Sequence, residues 1–216
     1  MKVLEFLEEL AKKYKKIDIS DANLESLQDY SLSQTECIYV IDFSTNKMTF
    51  AKGFEPFLGY SDQKISLINY LEKIHPEDID LVGRIGTATI EHSYQHPNQN
   101  KDNVLYLSFR IRNASGEYIK VLSQSSVLEL DKKGQMISSL IKVSDLSFID
   151  DGEVVSYKFV AENLDQEVFK NKVYSTTHNL FTARELDIVK EINKGHTNNE
   201  IAENLEISKH TVTTHR

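Results

Sequence analysis

A chain of 216 residues that is 40% hydrophobic can bury a sizeable core, which excludes wholesale disorder. Its net charge of −8 at pH 7 argues against a protein that coats nucleic acid without sequence preference, yet leaves room for a small reading surface on an acidic body. The single cysteine, Cys37, rules out an intramolecular disulfide and fits a reducing compartment.

The opening segment "MKVLEFLEELAKKYKK" does not read as a signal peptide, because Glu5, Glu8 and Glu9 interrupt its apolar stretch. No apolar run approaches the roughly 20 residues of a membrane span, so a cytoplasmic protein with no membrane partner is expected. Val3, Leu4, Phe6, Leu7, Leu10, Tyr14 and Ile17 fall on one helical stripe. Such a helix either packs over a neighbouring domain or dimerises. "DANLESLQDYSLSQ", with Asp21 as a candidate N-cap, predicts a second helix, and residues 1–32 read as an N-terminal helical cap.

Strand patterns follow. "CIYVIDF" and "KMTFAKG", joined by the polar "STN", predict an antiparallel hairpin with Cys37 inert within its first strand. Two short helices or turns are expected across "FEPFLGYSDQKISLINYLEKI". "HPEDIDLVGRIGTATIEHSY" predicts a longer helix with Pro76 in its first turn and Glu77 and Asp78 complementing its dipole. "VLYLSFRIR", "YIKVLSQSSVLEL" and "QMISSLIKVSD" are three further strands. In the first, Leu105, Leu107, Phe109 and Ile111 alternate with Tyr106, Ser108, Arg110 and Arg112, the pattern of a sheet with one buried face. "NASGE" and "DKKG" supply turn residues, and "EVVSYKFV" predicts a last strand. The order gives an α+β fold, an antiparallel sheet with helices on one face.

Gly59 to Ser61 ("GYS"), Ile74 to Asp78 ("IHPED"), Phe109 to Tyr118 ("FRIRNASGEY") and Asp145 to Ser147 ("DLS") make residues 33–147 resemble a PAS domain. They imply a PAS-like sensor over residues 33–160. The chain departs from many relatives in lacking tryptophan after Tyr118. The resemblance leaves haem, flavin, a small-molecule ligand or a protein partner open. The residues narrow this, since no Asn-Cys-Arg flavin motif surrounds Cys37. His92, the one candidate haem ligand, lies beside His96 and Pro97 at the polar end of its helix and reads as a solvated histidine. His75 belongs to the turn before that helix. No paired metal-ligand spacing, glycine-rich phosphate loop or acid–base pair stands out. Neither a metal nor another cofactor nor an enzyme is expected.

Residues 161–180 read as a linker with about one helical turn. Beyond them, Thr182 with Glu185 forms a capping box, Leu186, Val189 and Ile192 an apolar stripe, and Gly195 a helix stop. Thr197 with Glu200 repeats the box before Ile201, Ala202 and Leu205. Ser208 then caps a third helix whose Val212 points inward. This all-α helix-turn-helix segment is similar to the LuxR-type (GerE-like) DNA-binding domain. Thr182, Arg184, Glu185, Gly195, Glu200 to Ala202, Leu205, Ile207, Ser208, Thr211, Val212 and His215 stand at the matching places.

The LuxR resemblance implies a bacterial transcription regulator that binds DNA as a homodimer through residues 181–216. Thr213 and Thr214 would read bases, while Lys209, His210 and Arg216 would hold phosphates. Thr197 and Asn198, opening the preceding helix, also belong among the DNA contacts. Lysine is common in the family where Asn199 and Thr213 stand, and five Lys or Arg face six Asp or Glu over residues 181–216. The family's recognition helix continues past His215 and a fourth helix follows, so this helix-turn-helix reads as incomplete, with DNA binding expected of a longer chain. The competing reading is a PAS-based adaptor whose C-terminal helices dock protein.

Overall fold

The computed structural model describes residues 21–97, 100–149, 155–174, 187–188, 191–192, 194–205 and 207–215, with backbone alone at 21–23 and 214–215. The apolar stripe of residues 2–17, the capping box of Thr182 with Glu185, and Leu186 and Val189 lie outside the described residues. Two compact units result, one ending at Asp165 and the other beginning at Gln166.

The first unit contains helix α1 (Asp21–Gln28), strands β1 (Glu36–Asp42) and β2 (Lys47–Lys52), helices α2 (Phe54–Leu58), α3 (Leu67–Leu71) and α4 (Ile79–Gln95), then β3 (Val104–Arg112), β4 (Tyr118–Leu130), β5 (Met136–Asp145) and β6 (Ser156–Val160). All strand pairings are antiparallel, in the order β2-β1-β5-β4-β3-β6. This is the α+β sheet with flanking helices expected of a PAS-like fold.

Helices cover both faces, where the sequence suggested one. Successive strand residues point to opposite sides. In β1, Ile38 and Val40 pack with Phe50 against Leu24 and Leu27 of α1. From the other side of the same strand, the Tyr39 ring meets Phe54 and Tyr70, with centroids 5.0 to 5.9 Å apart. Four consecutive residues of β1, Cys37 to Val40, are therefore buried. The alternation predicted for β3 holds at Leu105, Leu107, Phe109 and Ile111, but Ser108 is buried as well. β6 lies alongside it, and the backbone N–H of Ser156 donates to Ser108 Oγ at 3.0 Å.

Two tight features position the helices. Gly53 has φ +87°, and a Cβ there would stand 2.6 Å from the Glu36 carbonyl oxygen, so only glycine fits between β2 and α2. The Asp62 carboxylate then accepts the backbone N–H groups of Gly53 (3.1 Å), Phe54 (2.7 Å) and Glu55 (3.3 Å), satisfying donors that a helix start leaves free. Helix α4 begins at Ile79, so Pro76 stands in the turn before it rather than in its first turn. That turn is closed by the N–H groups of Asp78 and Ile79, both donating to the His75 carbonyl. Asp78 makes no side-chain cap; its carboxylate reaches across to Arg110 of β3 instead.

In the second unit, α5 (Gln166–Tyr174) occupies nine residues where about one helical turn was expected. Its buried side chains are Phe169 and Val173, a pair four apart on one helical face and too few for a periodicity to show in the sequence. Residues 187–188 and 191–192 are helical, and α6 (Asn198–Asn204) and α7 (Lys209–His215) follow.

Candidate functional site

The helix-turn-helix is built from local signals. Gly195 takes φ +83°, and its N–H, donating to the Ile192 carbonyl at 2.9 Å, closes the turn after the helical residues 191–192. Thr197 then caps α6, its Oγ1 accepting from the Glu200 N–H while its own N–H donates to Glu200 Oε2 at 2.7 Å. After α6, the Ile207 N–H closes the turn onto the Ala202 carbonyl at 2.9 Å. Ser208 Oγ accepts the Thr211 N–H at 3.0 Å and opens α7. Ile188, Ile201, Ala202 and Val212 form the core, with Ile192, Leu205 and Ile207 packed against it.

A polar clamp that the sequence reading missed ties the turn to these helices. The largely buried Glu191 carboxylate accepts from Lys194 Nζ (2.6 Å) and Asn204 Nδ2 (2.8 Å) and lies 2.7 Å from His196 Nδ1. Lys194, Asn204 and His196, in that order, hold its carboxyl down at about 2. Only the placement of three separate positions around one carboxylate reveals it.

The proposed DNA contacts distribute as follows. Lys209, His210 and Thr213 are exposed on α7. Thr213 Oγ1 donates to the Lys209 carbonyl at 2.9 Å, so its hydroxyl is turned back onto the helix. Thr214 lies within α7, its side chain outside the described residues, and Arg216 lies outside them altogether. Thr197 and Asn198 sit at the start of α6, where the Thr197 hydroxyl also contacts Glu200 Oε2 at 2.8 Å. The cap already employs that hydroxyl.

The first unit holds a partly open cavity of about 170 Å³. Strand register explains it: Leu105 pairs with Ser125, Ser125 with Ile141, and Ile141 with Tyr39. The central strand β4 thus offers the hydroxymethyl groups of Ser123 and Ser125 where bulky apolar residues would fill the space. From α4 the cavity is lined by Gly83 and Gly86, and a Cβ at Gly86 would meet nothing within 4 Å. Small side chains face small side chains, and a void remains. Among the described residues, no acidic or basic side chain lines it.

His92 corrects the expectation of a solvated histidine. It is half-buried, stacked on His96 at 4.4 Å and edge-on to Phe159 at 5.4 Å between centroids. Phe159 lines the cavity, whereas His92 does not. Burial pushes the Cys37 thiol well above the ordinary range, which disfavours the reactive thiolate. Among the described residues, no group of three or more His, Cys, Asp or Glu could hold a metal ion, and no helix is long and apolar enough to cross a membrane.

Residues 179–216 match the family model for bacterial regulatory proteins of the luxR family. No curated protein matches the chain significantly. Among solved structures, the PAS domain of a protein from Colwellia psychrerythraea is similar over 60% of this chain and 100% of its own, at 16% identity and a TM-score of 0.41. The N-terminal domain of a diguanylate cyclase with PAS/PAC sensor from Marinobacter aquaeolei is similar over 52% of this chain and 96% of its own, at 16% identity and a TM-score of 0.41. A phage VqmA–DPO complex is similar over 90% of this chain and 79% of its own, at 15% identity and a TM-score of 0.34.

Proposed function

We propose that this protein is a sequence-specific transcriptional regulator, acting as a cytoplasmic homodimer, in which the PAS-like unit senses a signal and controls DNA binding by the helix-turn-helix. The observation that carries this reading is the capped α6–turn–α7 arrangement, with Lys209, His210 and Thr213 exposed on α7, in a segment that matches the luxR family. Laid in a major groove, α7 would present threonine methyls to thymine methyls, and Lys209, His210 and Arg216 to phosphates. With the Thr213 hydroxyl bonded internally, base preference rests more on Thr214. Discrimination is then weaker than bidentate arginine or asparagine contacts would give.

Fluorescence anisotropy of the longer chain of which DNA binding is expected, with a random DNA pool over a salt series, tests the proposal. Specific, salt-dependent binding is expected. Lys209→Ala should weaken all sequences alike and lower the salt slope by about one unit, whereas Thr214→Ala should change base preference. Absence of salt-dependent binding to any sequence would overturn the reading. The adaptor alternative, favoured by the excess of six acids over five bases in residues 181–216, would then take its place.

A further inference from the structure

We propose that α7 reads the 5-methyl group of a pyrimidine through the Thr213 methyl, so that methylation of a cytosine at the position it touches strengthens DNA binding. This rests on the DNA-binding role proposed above and names both the group read and a covalent DNA mark that would regulate it.

Burial fixes which face of α7 is available. Val212 is fully buried in the core with Ile188, Ile201 and Ala202, and Thr211 is half-buried. Lys209, His210 and Thr213 are exposed. Thr213 stands three and four residues beyond the other two, on the same helical face. The second helix of a helix-turn-helix turns such a face to base edges in the major groove.

The chemistry follows from the hydroxyl. Thr213 Oγ1 donates to the Lys209 carbonyl at 2.9 Å, and a hydroxyl has a single hydrogen to give. None is left for guanine N7 or O6, adenine N7 or thymine O4. Neighbouring hydroxyls are engaged too: Ser208 Oγ and Thr211 Oγ1 lie 2.8 Å apart, and Thr197 Oγ1 donates to Glu200 Oε2 at 2.8 Å. Between Lys209 and His215 the sequence holds no arginine, asparagine or glutamine. Lys209 serves phosphate in the reading above, so paired bonds to guanine or adenine have no source there. With the Thr213 hydroxyl turned onto the helix, the other branch of this exposed side chain, its methyl, is left to face outward. In the major groove the apolar feature of a base pair is the thymine methyl. 5-Methylcytosine carries the same methyl on the same ring carbon, whereas cytosine and uracil lack it. A pyrimidine methyl packed on Thr213 leaves water, and one such group is worth about four-fold in affinity.

Fluorescence anisotropy of the longer chain on a site selected from the random pool tests this. Uracil replaces each thymine of the site in turn, which removes only the methyl. At one thymine the exchange should cost about four-fold in affinity. With cytosine placed there instead, 5-methylcytosine should bind about four-fold tighter than cytosine. Thr213→Val keeps the methyl and loses the hydroxyl, and both differences should persist. Thr213→Ser keeps the hydroxyl and loses the methyl, and both should vanish at that position. Thr213 is exposed, so neither substitution touches the core. Uracil tolerated at every thymine, no gain from 5-methylcytosine, differences that survive serine at every position, or differences lost with valine would each overturn this inference and leave the regulator reading standing. A protein that binds no DNA sequence would overturn both.

Discussion

Replacing Asp78 by alanine severs the link between the start of α4 and strand β3. The Asp78 side chain is 2% exposed. It accepts three bonds from Arg110: the backbone N–H at 2.9 Å, Nε at 3.1 Å and Nη2 at 2.6 Å. Two losses combine. The backbone N–H of Arg110 is left without its acceptor in a half-buried place, which costs about 1–3 kcal/mol. The guanidinium contacts are worth less than the ~3–5 kcal/mol of a fully buried pair, because Arg110 is 27% exposed and keeps Glu77 at 2.9 Å. For such a group about 1 kcal/mol is appropriate. Asp78→Ala should therefore destabilise the first unit by about 2–4 kcal/mol. Asp78→Asn keeps an oxygen for the backbone N–H and should recover roughly half of that. Urea unfolding followed by circular dichroism reads both as lowered midpoints with an unchanged slope. A loss below about 1 kcal/mol, or asparagine no better than alanine, would show that the Asp78 carboxylate does not anchor the helix.

The Glu191 clamp predicts an acid sensitivity of the helix-turn-helix. Its folded pKa of about 2 lies below the ordinary 4.5, so its stabilising contribution is complete above about 4.5 and is lost as pH falls towards 2. Glu191→Gln should lower the melting temperature at neutral pH and flatten this acid limb; melts at a series of pH values measure both. Gly86→Ala should raise the melting temperature. An alanine Cβ there meets nothing within 4 Å, and replacing a helical glycine is worth about 0.5–1 kcal/mol, or roughly 2–4 °C. A lower melting temperature would mean that the space beside Gly86 is needed empty.

Much of this protein was legible from spacing alone because the physics concerned is local. Leu105, Leu107, Phe109 and Ile111 recur with the two-residue period of a strand, and all four are buried. The Thr197–Glu200 box and the left-handed Gly195 bound α6 within a few residues of chain, which is why Ile201, Ala202, Leu205 and Val212 emerged as inward-facing, whereas Ile188, fully buried in the same core, was not assigned. Tertiary structure decided the rest. Helix α5 rests on a single buried pair, Phe169 and Val173, and its burial depends on packing that no periodicity announces. Asp78 reads locally as a helix-dipole acid, but pairing β3 beside α4 brings Arg110 to it, and an ion pair with a backbone donor in a shielded place outweighs a cap. Ser123 and Ser125 read as strand residues; only the register across β3, β4 and β5 places Ser125 between Leu105 and Ile141 and brings both serines into the lining of a cavity. Asn100 reads as a loop residue, yet its buried Nδ2 donates to carbonyls at positions 93, 97 and 134. Local hydrogen bonds and side-chain periods are written along the chain, whereas voids and the polarity of buried groups arise between segments that meet only when the chain is folded.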